Sequence, residues 1–302
     1  MKKLTIAIHT LPTELLDFRR LISDLYSSIL FIKTNSYLLT NYIDIEIYAT
    51  LNISEKLMNF VDKSIFVKYY FDTFDEFKNS LNLKFNLSDD IYISGTTAQK
   101  RHIINTDNES DYFIFVDPDI YFPTRLLYYM IISEQYISDD VDMFVISPST
   151  VKLWDDSWDC LVNTNFLNNN YTFYKTYDPT KVYAQGYERI ELTELRTFKF
   201  GCGMHTLYSK KFVKKIGIPD SFGDYGSEDT YMMECAKLLK KSGANIKQYL
   251  LNGIFIAEDY VYNRVFNDNL VEYTLSRNTV KTHESLNFSN EIDNFIKYKL
   301  YD

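Results

Sequence analysis

Five short apolar runs constrain this chain more than any other feature: Leu4–His9, Ile43–Ala49, Tyr112–Val116, Met143–Ile146 and Ile254–Ala257. Each has the length of a buried strand and stops at polar or turn-forming residues. Helical patterns lie between several of them. Glu14–Phe31 carries apolar residues at helical spacing, and Asp229–Lys241 runs into Gly243, a C-terminal stop. Phe122–Ile137 has Pro123 near its first turn, where a missing N–H costs nothing. Strands alternating with helices predict an α/β fold with a largely parallel sheet. Ligands in such sheets sit beyond the carboxyl ends of the strands, which directs attention to the residues just after each apolar run.

The 302 residues contain no internal repeat, low-complexity tract or linker rich in Pro, Gly or Ser, so one compact unit is expected. A net charge of −9 argues against a duplex-DNA binder, whose affinity comes largely from Lys and Arg on phosphates. Cys160, Cys202 and Cys235 show no paired spacing and read as reduced thiols. Lys2 and Lys3 precede a short apolar run that charged residues and Pro12 interrupt before a signal segment can form. No stretch reaches the ~18 apolar residues of a membrane span. A cytoplasmic location is expected, with at most peripheral membrane association. Residues 154–198 are rich in Asn, Tyr and Thr and lack periodicity, which reads either as an irregular insertion near a site or as a long surface loop.

The strongest local signal is a strand running directly into Asp117-Pro118-Asp119. In an extended chain, residues two apart point the same way, so Asp117 and Asp119 can face one site. Pro118 lacks an N–H and ends the ladder. Two carboxylates at a strand end make a hard-oxygen site for Mg2+ or Mn2+, with positions left for substrate phosphates. The plainer alternative is a solvated acidic turn. Lys100 and Arg101 precede this site and suit a diphosphate.

The stretch Ser94-Gly-Thr-Thr-Ala-Gln-Lys-Arg101-His-Ile-Ile-Asn105, followed by Asp111 and the acidic strand end, resembles the "G-x-x-x-A-R-N … D-Y-I-x-x-x-D-x-D" element of GT-A fold glycosyltransferases, in particular the family 2 type. His102 departs from it where many members carry Asn. Tyr225-Gly-Ser-Glu228-Asp229 looks like the "G-x-G-x-E-D" element that opens a helix in inverting GT-A enzymes, including the galactosyltransferase-like group. Taken alone, these acids are also what the helix macrodipole favours in a first turn, with Ser227 as an N-cap.

The resemblance implies a single GT-A domain over 1–260, with a mostly parallel sheet flanked by helices and a Rossmann-like nucleotide-binding half. Residues 261–302 would form a helical extension packed on it. The implied activity moves a sugar from a nucleoside diphosphate, with UDP expected, to a hydroxyl of a glycan or other acceptor. Asp119 would hold Mn2+ or Mg2+, and Asp117 the donor ribose or the metal. Arg101 would contact the donor, as would His9, Thr10 and Thr50 at the ends of the first two strands. Asp229 would be the base and Glu228 an acceptor-binding or orienting carboxylate. Gly203, within Phe200-Gly-Cys-Gly203, would form part of an acceptor platform. Many relatives complete the metal site with a His after the Glu-Asp helix; here Glu258 stands at about that spacing, with Asp259 and His283 as other candidates.

His205 beside the glycines suits either a ligand contact or packing. Trp154 and Trp158 suit sugar stacking or core packing. Two other readings compete. A haloacid-dehalogenase-like phosphatase also ends a strand in Asp-x-Asp, but Tyr121 stands where that motif wants Thr or Val. A non-catalytic binder of carbohydrate or nucleotide-sugar would use the same fold without turnover.

Overall fold

The computed structural model describes residues 1–11, 14–52, 63–88, 95–152, 180–184, 190–199, 205–223, 226–258 and 287–301. Its strands are β1 (Lys2–Thr10), β2 (Ile43–Asn52), β3 (Leu83–Ser88), β4 (Tyr112–Val116), β5 (Ile120–Tyr121), β6 (Met143–Lys152), β7 (Glu191–Glu194), β8 (Thr206–Ser209) and β9 (Ile246–Glu258). Its helices are α1 (Leu15–Asn35), α2 (Tyr37–Tyr42), α3 (Lys63–Phe77), α4 (Thr96–Thr106), α5 (Leu126–Glu134), α6 (Thr180–Tyr183), α7 (Lys210–Ile216), α8 (Glu228–Lys241) and α9 (287–298).

The described strands form one sheet in the order β3-β2-β1-β4-β8-β6-β9-β5, with β7 also paired to β9. Strands β3, β2, β1, β4, β6 and β9 run one way, while β8, β5 and β7 run against them. This is a mostly parallel central sheet flanked by helices, with a C-terminal helix added.

Alternation along the strands sorts the interior into two cores. Leu4, Ile6 and Ile8 of β1, with Ile114 and Val116 of β4, meet α1, α2 and α5 on one face. Ala7, Phe113 and Phe115 turn to the other face and meet α4, α7, α8 and Phe295 of α9. Because the side-chain period is two, consecutive strand residues feed opposite cores, and the uninterrupted apolar runs follow from that. Helix α9 is fastened by Phe288, which stacks on Phe222, and by Lys299 Nζ donating to the Ile216 carbonyl at 3.0 Å. No described helix is long and apolar enough to cross a membrane.

Several sequence expectations shift. The last apolar run is the end of a longer strand, β9, which begins at Ile246. Strand β8 was not anticipated: it has four residues, and two of them, Thr206 and Ser209, are polar yet buried. The helix expected over Phe122–Ile137 narrows to Leu126–Glu134, and Pro123 lies in the turn before it, accepting from Leu126 N at 2.9 Å. Gly243 does end α8. With φ +95 it takes a conformation other residues resist, and Ala244 N closes back on the Leu239 carbonyl at 3.0 Å. Within 154–198, the described parts include α6 and β7; Trp154 and Trp158 lie outside the described residues, as do Cys160 and Cys202.

Candidate functional site

From β1 the chain moves outward to β2 and β3, then returns to place β4 on the other side of β1. The carboxyl ends of β1 and β4 therefore flank a topological switch point, where a crevice forms in open α/β sheets. His9 lies opposite Thr50 in register, and Ile8 lies opposite Val116, so Asp117 follows at the level of His9. His9, Thr10 and Thr50 are all buried. The His9 ring Nδ1 is 3.3 Å from the Thr96 hydroxyl at the start of α4. Gln99, not singled out from sequence, straps α4 to this edge: its amide donates to the Ile8 carbonyl at 2.7 Å and to Thr50 Oγ1 at 2.9 Å. Its burial on a helix face is a tertiary fact with no local signal.

Asp117 and Asp119 are not arranged as an extended strand would place them. Ile120 N donates to the Asp117 carbonyl at 3.3 Å, so Asp117-Pro118-Asp119-Ile120 is a β-turn. Pro118 suits the second position of such a turn, because its ring fixes φ near the required value. Asp119 is buried and Asp117 half-buried. Ile120 then pairs antiparallel with Glu258 at the end of β9, which brings Glu258 next to the acidic turn.

The second acidic pair divides its labour. Lys100 Nζ donates to Glu228 Oε1 at 2.7 Å, and both side chains are buried. Thr97 Oγ1 donates to Glu228 Oε2 at 2.9 Å and accepts from Gly226 N at 2.9 Å. Burial alone would raise the Glu228 pKa, but the Lys100 charge and hydrogen bond outweigh it and hold the carboxyl below its ordinary range. Burial alone would lower the Lys100 pKa; the charges of Glu228, Asp117 and Asp229 overcome that and push it up. Lys100 thus stands in the field of both acidic motifs.

Glu228 is committed to structure at the start of α8, and its neighbour Asp229 is half-buried. Asp229 Oδ1 accepts from Thr230 N at 2.7 Å. Ser227 does not cap the helix with its side chain; it adopts a left-handed conformation, φ 53, after Gly226 at φ 125. That tight backbone turn aims the Glu-Asp pair, and glycine tolerates the second of these angles where other residues are strained.

Arg101, the expected donor contact, is bonded to the 219–223 turn. Its guanidinium donates to the Pro219 carbonyl at 2.9 Å and the Gly223 carbonyl at 3.3 Å, and its Nε lies 3.0 Å from exposed Asp220. It grips the turn that leads into α8, while its neighbour Lys100 faces the acids. His205, fully buried, packs edge-on against Phe122 at 4.6 Å, and among the described residues neither ring nitrogen has a hydrogen-bond partner. Burial lowers its pKa to about 4, so the ring is neutral. Gly203, Asp259 and His283 lie outside the described residues. Among the described residues, no group of three or more His, Cys, Asp or Glu side chains is gathered as a metal centre.

No family model and no curated protein matches the chain. Among solved structures, a mycobacterial protein is similar at 11% identity and a TM-score of 0.46, over 86% of this chain and 68% of that one. GalNAc-T7, solved with UDP, GalNAc and Mn2+, is similar at 10% identity and a TM-score of 0.48, over 86% of this chain; the match spans 44% of the GalNAc-T7 chain.

Proposed function

We propose that the chain transfers a sugar from a nucleoside-diphosphate-sugar, with UDP the expected nucleotide, to a hydroxyl of a glycan or similar acceptor. One observation carries this reading. Lys100 reaches Glu228 at 2.7 Å, and the carboxylates of Asp117 and Asp229 act on the same ammonium. The basic segment around Lys100 and the Glu228-Asp229 pair, 128 residues apart, are joined directly, and the charge of Asp117 acts on the same ammonium, which supports the GT-A reading.

His9, Thr10 and Thr50 line the nucleotide side. Mn2+ or Mg2+ would be held by Asp119 and Asp117 as a two-carboxylate site, with Glu258 on the strand paired to the turn. These are hard-oxygen donors, and such ions commonly take one or two carboxylates plus substrate phosphates, so the residues present suit them. Bound there, the ion would supply Lewis-acid stabilisation of the departing diphosphate. Asp229 takes the acceptor proton as the new C–O bond forms, and a single base on the far side of the sugar gives inversion. Glu228 orients Asp229 through its bond to Lys100. Arg101 fixes the 219–223 turn on which that geometry depends. Gly203 and its neighbours would supply the acceptor platform.

The test is product analysis with a panel of UDP-sugars and phosphomonoesters in Mn2+. Free UDP that increases with added acceptor supports the reading. Orthophosphate from monoesters without acceptor points to a phosphatase instead, and UDP-sugar binding without turnover to a binding protein. Absence of any UDP binding overturns it.

A further inference from the structure

We infer that Arg20, on α1, is the positioning residue for Asp119. Its guanidinium Nη2 donates to the Pro118 carbonyl at 2.6 Å, and its Nη1 donates to the Ile120 carbonyl at 2.9 Å. These carbonyls belong to the residues immediately before and after Asp119. One rigid planar fork thus holds the peptide that enters Asp119 and the peptide that leaves Ile120, which brackets the Asp119–Ile120 step of the turn and restricts the backbone that aims the Asp119 carboxylate. The turn needs such a brace: its internal hydrogen bond is long, at 3.3 Å, and Pro118 offers no N–H of its own.

The fork is itself held from the other sides. Nη1 also bonds Asp24 Oδ2 at 3.0 Å, Nε lies 3.9 Å from Asp17, and the guanidinium sits 3.8 Å from the centre of the Tyr121 ring. Tyr183 of α6 donates to the same Asp24 at 2.6 Å, which ties the brace to the segment between β6 and β7. The contrast with Arg19 is informative: it is adjacent in sequence but about half exposed, and its bond to Glu76 at 2.8 Å touches nothing near the turn. A guanidinium kept mostly out of water is costly unless it is well bonded; here Nη1 and Nη2 carry the bonds, while Nε has no hydrogen-bond partner among the described residues. Lysine cannot reproduce it, since an ammonium is a point donor rather than a fork.

The functional half of this inference rests on the proposed donor site; the structural half does not, and the experiment separates them. Arg20→Lys and Arg20→Gln are compared with wild type by hydrogen exchange and by UDP binding across a Mn2+ titration. Exchange in the peptide covering 117–122 should accelerate in both variants while that of β1 stays unchanged. The Mn2+ concentration for half-maximal UDP binding should rise ~10–100-fold, the range seen when outer partners of ligating groups are lost. Saturating Mn2+ should restore UDP affinity, a recovery that general loosening would not give. Unchanged exchange over 117–122, or loosening spread evenly over the sheet, overturns the inference. Exchange that accelerates with an unmoved Mn2+ midpoint overturns the role toward Asp119. If wild-type protein binds no UDP with either metal, the donor-site reading falls, and the exchange data alone decide whether Arg20 braces the turn.

Discussion

The two acidic motifs at the sheet's carboxyl edge look alike in sequence, yet opposite physics holds them. At Asp117-Pro118-Asp119 the backbone is gripped from outside: Arg20 takes the carbonyls on both sides of Asp119. At Glu228-Asp229 one of the acids is itself the fastener. Glu228 is consumed in a buried ion pair with Lys100 and a bond from Thr97, and its neighbour is positioned as a result. The lesson is that counting acids in a motif does not count ligands or bases. The first motif is aimed by a cation spent on backbone, the second by a carboxylate spent on a cation.

This contrast can be broken most sharply at the chemistry. Asp229→Asn should keep Mn2+-dependent UDP binding and lose transfer by ~10²–10⁴-fold, the usual contribution of a positioned base. Asp119→Asn should do the reverse and abolish the Mn2+-dependent thermal shift with UDP. Transfer at the wild-type rate in Asp229→Asn would sink the base assignment.

Stability sharpens it next. Lys100→Met and Glu228→Gln should each cost ~3–5 kcal/mol in denaturant unfolding, because each strands a buried partner. The double variant should recover much of that loss, and additive losses would show that the two side chains are not coupled.

A smaller effect follows from His205, beneath the first motif. Its pKa is about 4 in the folded chain and near the ordinary 6.5 when unfolded. The unfolded state therefore binds the extra proton between these values. Its contribution is fully present above pH 6.5 and is lost as pH falls toward 4, at up to ~1.4 kcal/mol per pH unit. His205→Gln should flatten the stability–pH curve in that window; an unchanged slope would contradict a buried neutral ring.

The smallest effect is expected at Arg19, whose exposed pair with Glu76 should be worth less than ~1 kcal/mol. Arg19→Ala should leave both UDP binding and exchange over 117–122 unchanged, in contrast to Arg20.

Local pattern carried the architecture. Apolar runs of strand length separated by helical spacing determined an α/β sheet and pointed to the carboxyl ends of β1 and β4, since burial on both faces leaves a signature within a few residues. It also marked the Gly243 stop, while Glu258 came only from the spacing that the GT-A resemblance implies. Strand β8 escaped notice because four residues with buried hydroxyls carry no periodicity. Nor could sequence tell which of Lys100 and Arg101 faces the acids, which acid becomes structural, or that Arg20 rather than Arg19 reaches the turn. Those choices were made by bonds across large separations, 128 residues for Lys100 to Glu228 and 98 for Arg20 to Pro118. The energy of such a bond depends on burial and on a partner's direction in space, quantities that exist only once the layers have packed.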